Sequence, residues 1–303
     1  MKIGIDIGGS HIATGIILEK GKLLAKETRD ISISDIYDEK RVEKIILDTI
    51  QIEIKTLLEA NDYTNADITK IGIAIPGAPK DGVIKTSVNL HIKKFNIASE
   101  LGKIYKTRVR IKNDGKCAGL AEKKYGNLSK YDDCVFLCIG TGVGSAVFLN
   151  GELLEPNKNP GFEFGHIIIN KDGNQCNCGS KGCFETYASM KRFKENAIKK
   201  LKLPKDCQAE ELQQYIRENK DKEDVAKFVD EFLENVSIGL SNIINIFEPE
   251  AICFGGSFSY YQDIFLPIIK EKVNKYVLNK GEKTQFIAAK LRNDAGMIGA
   301  SEI

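Results

Sequence analysis

Residues 2–10 have the sequence Lys2-Ile3-Gly4-Ile5-Asp6-Ile7-Gly8-Gly9-Ser10, an apolar and β-branched segment that ends in a glycine turn. This pattern predicts a buried strand, and Ile12 to Leu18 predict a return strand after the turn. The second half of the chain repeats the arrangement, with Val135–Ile139 followed by Gly140-Thr141-Gly142-Val143-Gly144. The two corresponding units indicate a duplicated fold; two unrelated hairpins with similar turns are the alternative.

The composition is that of a globular protein, with 42% hydrophobic and 28% charged residues among 303. This length favours two domains. A net charge of +2 does not predict a broad basic surface for nucleic acid or for a membrane. Helical periodicity at residues 40–60 and 187–247 alternates with short apolar runs, which predicts an α/β protein. With no apolar run of about 18 residues and no signal peptide before the first strand, we expect a cytoplasmic protein.

Three glycine turns follow three apolar strands, and they are Gly8-Gly9-Ser10, Gly140–Gly144 and Gly255-Gly256. Glycine lets backbone N–H groups approach an anion, so these turns together predict a nucleotide phosphate site. None of them has the sequence of a Walker A loop or of a dinucleotide fingerprint. Asp6 is an acid inside an apolar strand, which favours a Mg²⁺ contact beneath the phosphates over a surface-facing edge position.

A cluster of metal-ligand residue types follows in the second half, with His166, Cys176, Cys178 and Cys183. Three thiolates and one imidazole fill the four positions of a tetrahedral zinc site, so we expect a structural Zn²⁺. Free buried cysteines and disulfides are the less favoured alternatives. The other cysteines have no such pattern and are expected to be small core or surface residues. They are Cys117, Cys134, Cys138, Cys207 and Cys253.

Carboxylates flank this cluster, with Glu163 before His166 and Glu185 after Cys183. A loop whose shape is fixed by a bound metal could hold both carboxylates as hydrogen-bond acceptors for the hydroxyls of a polyol. Asn113-Asp114 follows another apolar strand, where an aspartate can accept a proton from an alcohol. Taken alone, this pair is more typical of a turn or a helix N-cap.

Taken together, these motifs resemble the ROK family (repressors, open reading frames and sugar kinases) of the actin-like ATPase superfamily. The likeness extends over essentially the whole chain. The family's first phosphate motif is matched by Asp6–Ser10, and its second by Gly140–Gly144. Its Pro-Gly loop is matched by Ile75-Pro76-Gly77. The most specific match is Glu163-Phe164-Gly165-His166 with the cysteine cluster and Glu185.

The resemblance implies a duplicated actin-like ATPase (ribonuclease H-like) fold with two lobes around a nucleotide and sugar cleft. The expected lobes are residues 1–113 plus 290–303, with a returning C-terminal helix, and residues 114–289, which carry the zinc loop. It implies an ATP-dependent, glucokinase-like phosphorylation of a hexose hydroxyl that gives hexose 6-phosphate, with Asp114 as general base. The implied sugar contacts are Asn89, Asn113, Asp114, Glu163, His166 and Glu185. The implied nucleotide contacts are Asp6, Gly8, Gly9, Ser10, Gly140, Thr141, Gly142, Gly255 and Gly256.

Three departures from the family pattern bear on function. The first motif continues with Ser10-His11 where Thr-Lys is usual, and Phe162 replaces a usual glycine. Asn89 is followed by Leu90-His91-Ile92 where Pro-Gly-Trp is frequent. The latter two leave open an N-acetylmannosamine or N-acetylglucosamine kinase, a fructokinase, or a non-catalytic sugar sensor. Only five residues precede Asp6, which argues against a DNA-binding member. A homodimer or a higher homo-oligomer is expected, without nucleic-acid or membrane partners.

Overall fold

The computed structural model describes residues 1–33, 36–77, 79–84, 87, 90, 92–156, 161–281 and 283–303. The described residues divide into two units by their contacts. The first contains Met1–Ser129 and Leu291–Ile303, and the second contains Lys130–Pro156 and Gly161–Lys290. Within these described ranges, no helix is both long and apolar enough to cross a membrane.

The elements of the first unit begin with a β-meander and continue with alternating helices and strands. In chain order they are β1 (Lys2–Ile7), β2 (His11–Ile17), β3 (Leu23–Asp30), α1 (Glu39–Ala60), β4 (Lys70–Ile75), β5 (Pro79–Lys80), β6 (Val83–Ile84), α2 (Ile97–Tyr105), β7 (Val109–Asn113) and α3 (Asp114–Tyr125). Helix α1 begins where the Asp38 side chain accepts hydrogen bonds from the first-turn N–H groups of Lys40 and Arg41. Its buried face repeats about every four residues, as Val42 and Ile46 show.

The first sheet has the strand order β3-β2-β1-β4-β7. Strands β1 and β2 pair antiparallel, whereas β4 lies between β1 and β7 and pairs parallel with both. Isoleucines meet across these strands, with Ile5 opposite Ile73 and Ile73 opposite Ile111. Near-continuous apolar strands are typical of a parallel sheet that is covered on both faces.

The second unit repeats this plan. Its elements are β8 (Cys134–Ile139), β9 (Val143–Leu149), β10 (Glu152–Leu153), α4 (Glu185–Ala188), α5 (Met190–Lys200), α6 (Ala209–Asn219), α7 (Glu223–Phe247), β11 (Ala251–Gly255), α8 (Gln262–Val273) and β12 (Gln285–Ala288). Its sheet has the order β10-β9-β8-β11-β12, and as in the first sheet three antiparallel strands, here β8, β9 and β10, lie beside parallel strands. The matching order confirms the duplication predicted from the two glycine-turn hairpins.

The last helix, α9 (Ala295–Ala300), belongs to the first unit and lies against its sheet. A Cβ added to Gly72 would lie 1.7 Å from the Ala300 carbonyl oxygen, so β4 and α9 approach as closely as their backbones allow. Just beyond α9, the Glu302 carboxylate binds Lys2 at 2.7 Å and Lys124 at 2.8 Å. Burial alone would raise the pKa of Glu302, but the two lysines lower it to about 2.

Helix α3 also packs against α9 and therefore belongs to the first unit. The expected division starts the second lobe at residue 114. The boundary between the two contact-defined units instead follows Ser129.

Candidate active site and metal centre

The carboxyl ends of the three parallel strands in the first sheet bring predicted site residues to one edge. Asp6 lies near the end of β1, Gly77 follows β4, and Asn113 ends β7. Parallel strands point their carboxyl ends to the same edge, which is where open α/β sheets bind ligands. The turn Gly8–Ser10 leaves β1 at this edge, and Gly9 and Ser10 are exposed.

Asn113 has two local partners. Its side-chain oxygen accepts from the Lys116 N–H at 3.1 Å and caps helix α3, while its amide nitrogen donates to the Gly77 carbonyl at 3.0 Å. The N-cap alternative considered from sequence is therefore present. The second contact also fastens the Pro-Gly loop after β4 to the start of α3, where Asp114 stands.

Asp114 is the first residue of α3, and its Oδ1 accepts from the Gly115 N–H at 2.8 Å. Asp6 on β1 is close enough to Asp114 to interact with it electrostatically. Burial, and then the charge of Asp114, raise the pKa of the Asp6 carboxyl from 3.8 to about 7. The Asp6 carboxylate is also tightly packed, because a Cβ added to Gly296 would lie 2.2 Å from its Oδ2.

This pair of acids fits a divalent cation. A buried carboxyl whose pKa is raised by a neighbouring carboxylate is stabilised as an anion when a cation neutralises the charge. Carboxylate oxygens are also the ligands that Mg²⁺ prefers. The chemistry at this edge is therefore compatible with the predicted association of Asp6 and Mg²⁺.

In the second unit the glycine turn, Gly140–Gly142, joins β8 to β9. The Gly140 N–H donates to the Gly142 carbonyl at 2.9 Å, and the Lys191 N–H at the start of α5 donates to the Gly140 carbonyl at 3.3 Å. Thr141 at the tip of the turn is exposed. Gly255 ends β11 and Gly256 follows it, so both turns lie at the carboxyl edge of the second sheet.

A cavity of about 330 Å³ opens beside this edge, which is within the usual size range of a small-molecule site. Its walls combine Gly140, Thr141 and Ser257 from the turns with Met190, Leu212 and Tyr260 from the helical region. Sequence reasoning did not find the last three residues, because Met190 and Leu212 look like ordinary core residues of amphipathic helices and Tyr260 lies in a short 3-10 segment without a motif.

The cysteine loop, residues 163–185, gathers the four predicted metal ligands. Their ligand atoms all lie within 4.8 Å of one another. Cys176 Sγ is 3.8 Å from His166 Nδ1, and Cys178 Sγ is 3.6 Å from Cys183 Sγ. A tetrahedral zinc ion with zinc–sulfur bonds of about 2.3 Å separates its ligand atoms by about 3.8 Å. The cluster could therefore hold zinc with little rearrangement.

The thiols of the cluster differ in acidity. Hydrogen bonding, first of all from the Ser180 backbone, lowers the pKa of the exposed Cys178 to about 7. Burial raises the pKa of Cys183 to about 12. A metal ion would remove this difference, because coordination keeps each sulfur as a thiolate.

A family model of the ROK family matches residues 2–303. The chain belongs to the ROK family. A glucokinase of Thermotoga maritima is 30% identical over 99% of this chain and 96% of its own length. A xylose repressor of Caldicellulosiruptor bescii is 27% identical over 90% of this chain and 70% of the repressor.

A solved structure supports the fold of this ROK-family chain. It is a ROK family glucokinase from Streptomyces griseus in complex with glucose and AMPPNP. The TM-score is 0.81 at 24% identity, over 99% of this chain and 98% of that one. The predicted duplicated α/β fold of the actin-like ATPase type is confirmed at this level.

The sugar contacts predicted for the ROK family chain are distributed over both units. Asn113 and Asp114 lie in the first, and Glu163, His166 and Glu185 lie in the second. Glu163 and His166 lie at the beginning of the cysteine loop, its first arm, and Glu185 lies at its end, the second arm. Glu185 Oε2 also accepts from the Val143 N–H at 2.9 Å, a contact that sequence reasoning did not predict. Asn89 lies outside the described residues.

Phe162, which stands where glycine is usual, has a backbone conformation that favours glycine. Its φ is 60°, in the left-handed region that favours glycine. The backbone of this segment is held in place, since the Ser145 hydroxyl donates to the Phe162 carbonyl and the Phe162 side chain packs against the core of the second unit. The chain therefore keeps at Phe162 a backbone conformation suited to glycine, immediately before Glu163.

Proposed function

We propose that this protein transfers the γ-phosphoryl group of ATP to the 6-hydroxyl of a hexose, with glucose as the first candidate. The enzyme class, an ATP-dependent sugar kinase, is supported by a glucokinase that matches almost the whole chain. The choice of hexose, the product and the catalytic residue are the finer parts of the proposal.

The observation that carries the proposal is the position of Asp114. It starts α3 at the carboxyl edge of the first sheet, with one carboxylate oxygen oriented by the Gly115 N–H. In the proposed mechanism its carboxylate accepts the proton of the attacking sugar hydroxyl. Asn113 fixes the start of this helix through its cap and its bond to Gly77. Its second amide hydrogen is proposed to reach the sugar.

The nucleotide is proposed to bind along the glycine turns. Gly8, Gly9 and Ser10 in the first unit, and the glycine turn with Gly255 and Gly256 in the second, would supply backbone donors to phosphate oxygens. The cavity of about 330 Å³ beside the glycine turn would hold the adenosine. Mg²⁺, associated with Asp6, would offset the negative charge of the transferring phosphoryl group.

The sugar would be held by Glu163, His166 and Glu185, together with Asn89. A structural zinc bound by His166, Cys176, Cys178 and Cys183 would hold both arms of the cysteine loop together. With Nδ1 near the sulfur of Cys176, the other ring nitrogen of His166 is the one proposed to bind a sugar hydroxyl. A homo-oligomer stays a prediction.

The test is a coupled assay of ADP release on glucose, fructose, allose, N-acetylmannosamine and N-acetylglucosamine. Asp114→Asn should lower kcat by about 100-fold or more and leave glucose binding nearly unchanged, because it removes only the base. Asp62→Asn is a matched control, since Asp62 is exposed in the same unit at a φ of 58°, a conformation that asparagine tolerates. If Asp114→Asn keeps more than about a tenth of the wild-type kcat, Asp114 is not the base.

A sugar-sensing protein is the second candidate, and the match to a xylose repressor favours it. The strained Phe162 beside Glu163 is also compatible with an altered sugar site. Calorimetry and the ADP assay on the same sugars separate the two functions. Sugar binding without ADP formation on any of them would favour the sensor.

A further inference from the structure

Val143, the residue that follows the glycine turn, is contacted by the end of the cysteine loop. Glu185 Oε2 accepts the Val143 N–H at 2.9 Å. The same oxygen lies so close to the turn that a Cβ added to Gly142 would be 2.4 Å from it. The N–H of Val143 therefore binds a side chain of this loop, and Gly142 leaves the space for that carboxylate.

The beginning of the cysteine loop contacts the same residue from its other arm. A Cβ added to Gly165 would lie 2.5 Å from the Val143 carbonyl oxygen, so the two backbones are in close contact. Two residues further along β9, the Ser145 hydroxyl accepts from the Phe164 N–H at 3.3 Å. The first residues of β9, directly after the glycine turn, are therefore contacted by both ends of the cysteine loop.

The two arms are connected to each other close to these contacts. Gly165 precedes the candidate ligand His166, and Glu185 stands two residues after the candidate ligand Cys183. The Phe184 N–H donates to the Ile167 carbonyl at 2.8 Å. A metal ion at the cluster would therefore tie both contacts on Val143 to a single centre.

We propose that Glu185 is a positioning residue for the nucleotide, which fixes the glycine turn to the cysteine loop so that metal loading of the loop sets nucleotide affinity without sugar. This rests on the proposed kinase function and adds a role to Glu185 beyond a sugar contact. Only Oε2 is engaged by Val143, so Oε1 stays compatible with the proposed sugar hydroxyl.

The experiment measures binding of AMPPNP with Mg²⁺ to the full chain by calorimetry, in the absence of sugar. Glu185→Ala should raise the Kd about tenfold, because it removes a hydrogen bond to a charged acceptor. Glu185→Gln should stay within about threefold of the wild type, since its carboxamide oxygen can accept the same N–H. Lys181→Ala, at an exposed position in the same loop, is the control and should change nothing.

Metal dependence is tested with zinc-loaded and chelator-treated protein. Removing zinc should weaken nucleotide binding by the wild type about tenfold and by Glu185→Ala much less, because both changes release the same contact. Hydrogen exchange at the Val143 amide gives a second readout, and its protection should fall in both cases. Thermal melting and circular dichroism check that the variants remain folded.

Several results would overturn the proposal. One is a nucleotide Kd that is the same in Glu185→Ala as in the wild type. Another is an equal loss of nucleotide affinity in Glu185→Ala and Glu185→Gln. A third is hydrogen exchange at the Val143 amide that changes neither in Glu185→Ala nor on removal of the metal. Failure of the kinase proposal looks different, since the wild type would then bind no AMPPNP. The exchange of Val143 would still decide whether the loop holds the turn.

Discussion

Replacing Asp6 by asparagine should make the metal-free protein more stable at alkaline pH while abolishing phosphoryl transfer. The reason is the cost of a charged carboxylate at this position. Burial and the charge of Asp114 raise the pKa of Asp6 from 3.8 to about 7. The folded protein therefore binds a proton at Asp6 more tightly than the unfolded chain does.

The size of the effect follows from these two pKa values. A pKa unit corresponds to about 1.4 kcal/mol, so the ionised Asp6 destabilises the folded state by up to about 4 kcal/mol above pH 7. Between pH 3.8 and 7 the unfolded chain carries the charge and the folded protein does not, so stability falls as the pH rises through this window. The advantage of Asp6→Asn should grow by about 2 to 3 kcal/mol between pH 5 and pH 8.

Urea denaturation at pH 5, 6, 7 and 8, in chelator and without nucleotide, measures this difference. Mg²⁺ and ATP should then stabilise the wild type more than Asp6→Asn, because a cation beside the carboxylate favours its charged form. An Asp6→Asn variant whose relative stability is the same at pH 5 and pH 8 would refute the reasoning. It would mean that Asp6 is ionised without cost in the folded protein.

Three further changes test other parts of the structure. Glu302→Gln should cost about 1 to 2 kcal/mol near neutral pH in urea melts, discounted because the lysine partners are partly exposed. Since the pKa of Glu302 is lowered from 4.5 to about 2, this stabilisation should disappear as the pH falls from 4.5 to 2. Cys178→Ala should lower both the zinc content by elemental analysis and the Tm, and a zinc-free wild type purified without chelator would contradict the metal site. Gly72→Ala should cost about 2 kcal/mol or more by displacing α9, whereas Gly102→Ala, with its nearest atom at 3.6 Å, should be tolerated.

The features that sequence predicted are those with a local spacing rule. The strand, turn and return strand at Lys2–Ile17 and at Cys134–Leu149 follow from apolar runs broken by glycine. The four candidate metal ligands were found because their residue types and short separations are rare together. The structure brings all four within reach of one ion.

The features that sequence did not predict depend on contacts between distant segments. The cavity wall combines Met190 and Leu212 with Tyr260, and nothing in the local sequence around each residue marks it. The bond between Glu185 and Val143 joins residues 42 positions apart. The placement of α3 depends on its packing against α9, which no local signal at residues 114–125 reveals.

Helix α9 has a consequence for how the protein is made. The first unit contains Met1–Ser129, yet the helix that covers Gly72 on its sheet lies at Ala295–Ala300. During synthesis the whole second unit leaves the ribosome before that helix does. Until then, part of the sheet of the nascent first unit stays uncovered and its apolar surface exposed. Its completion is a late, long-range closure, so we expect folding of the first unit to be limited by the arrival of these last residues.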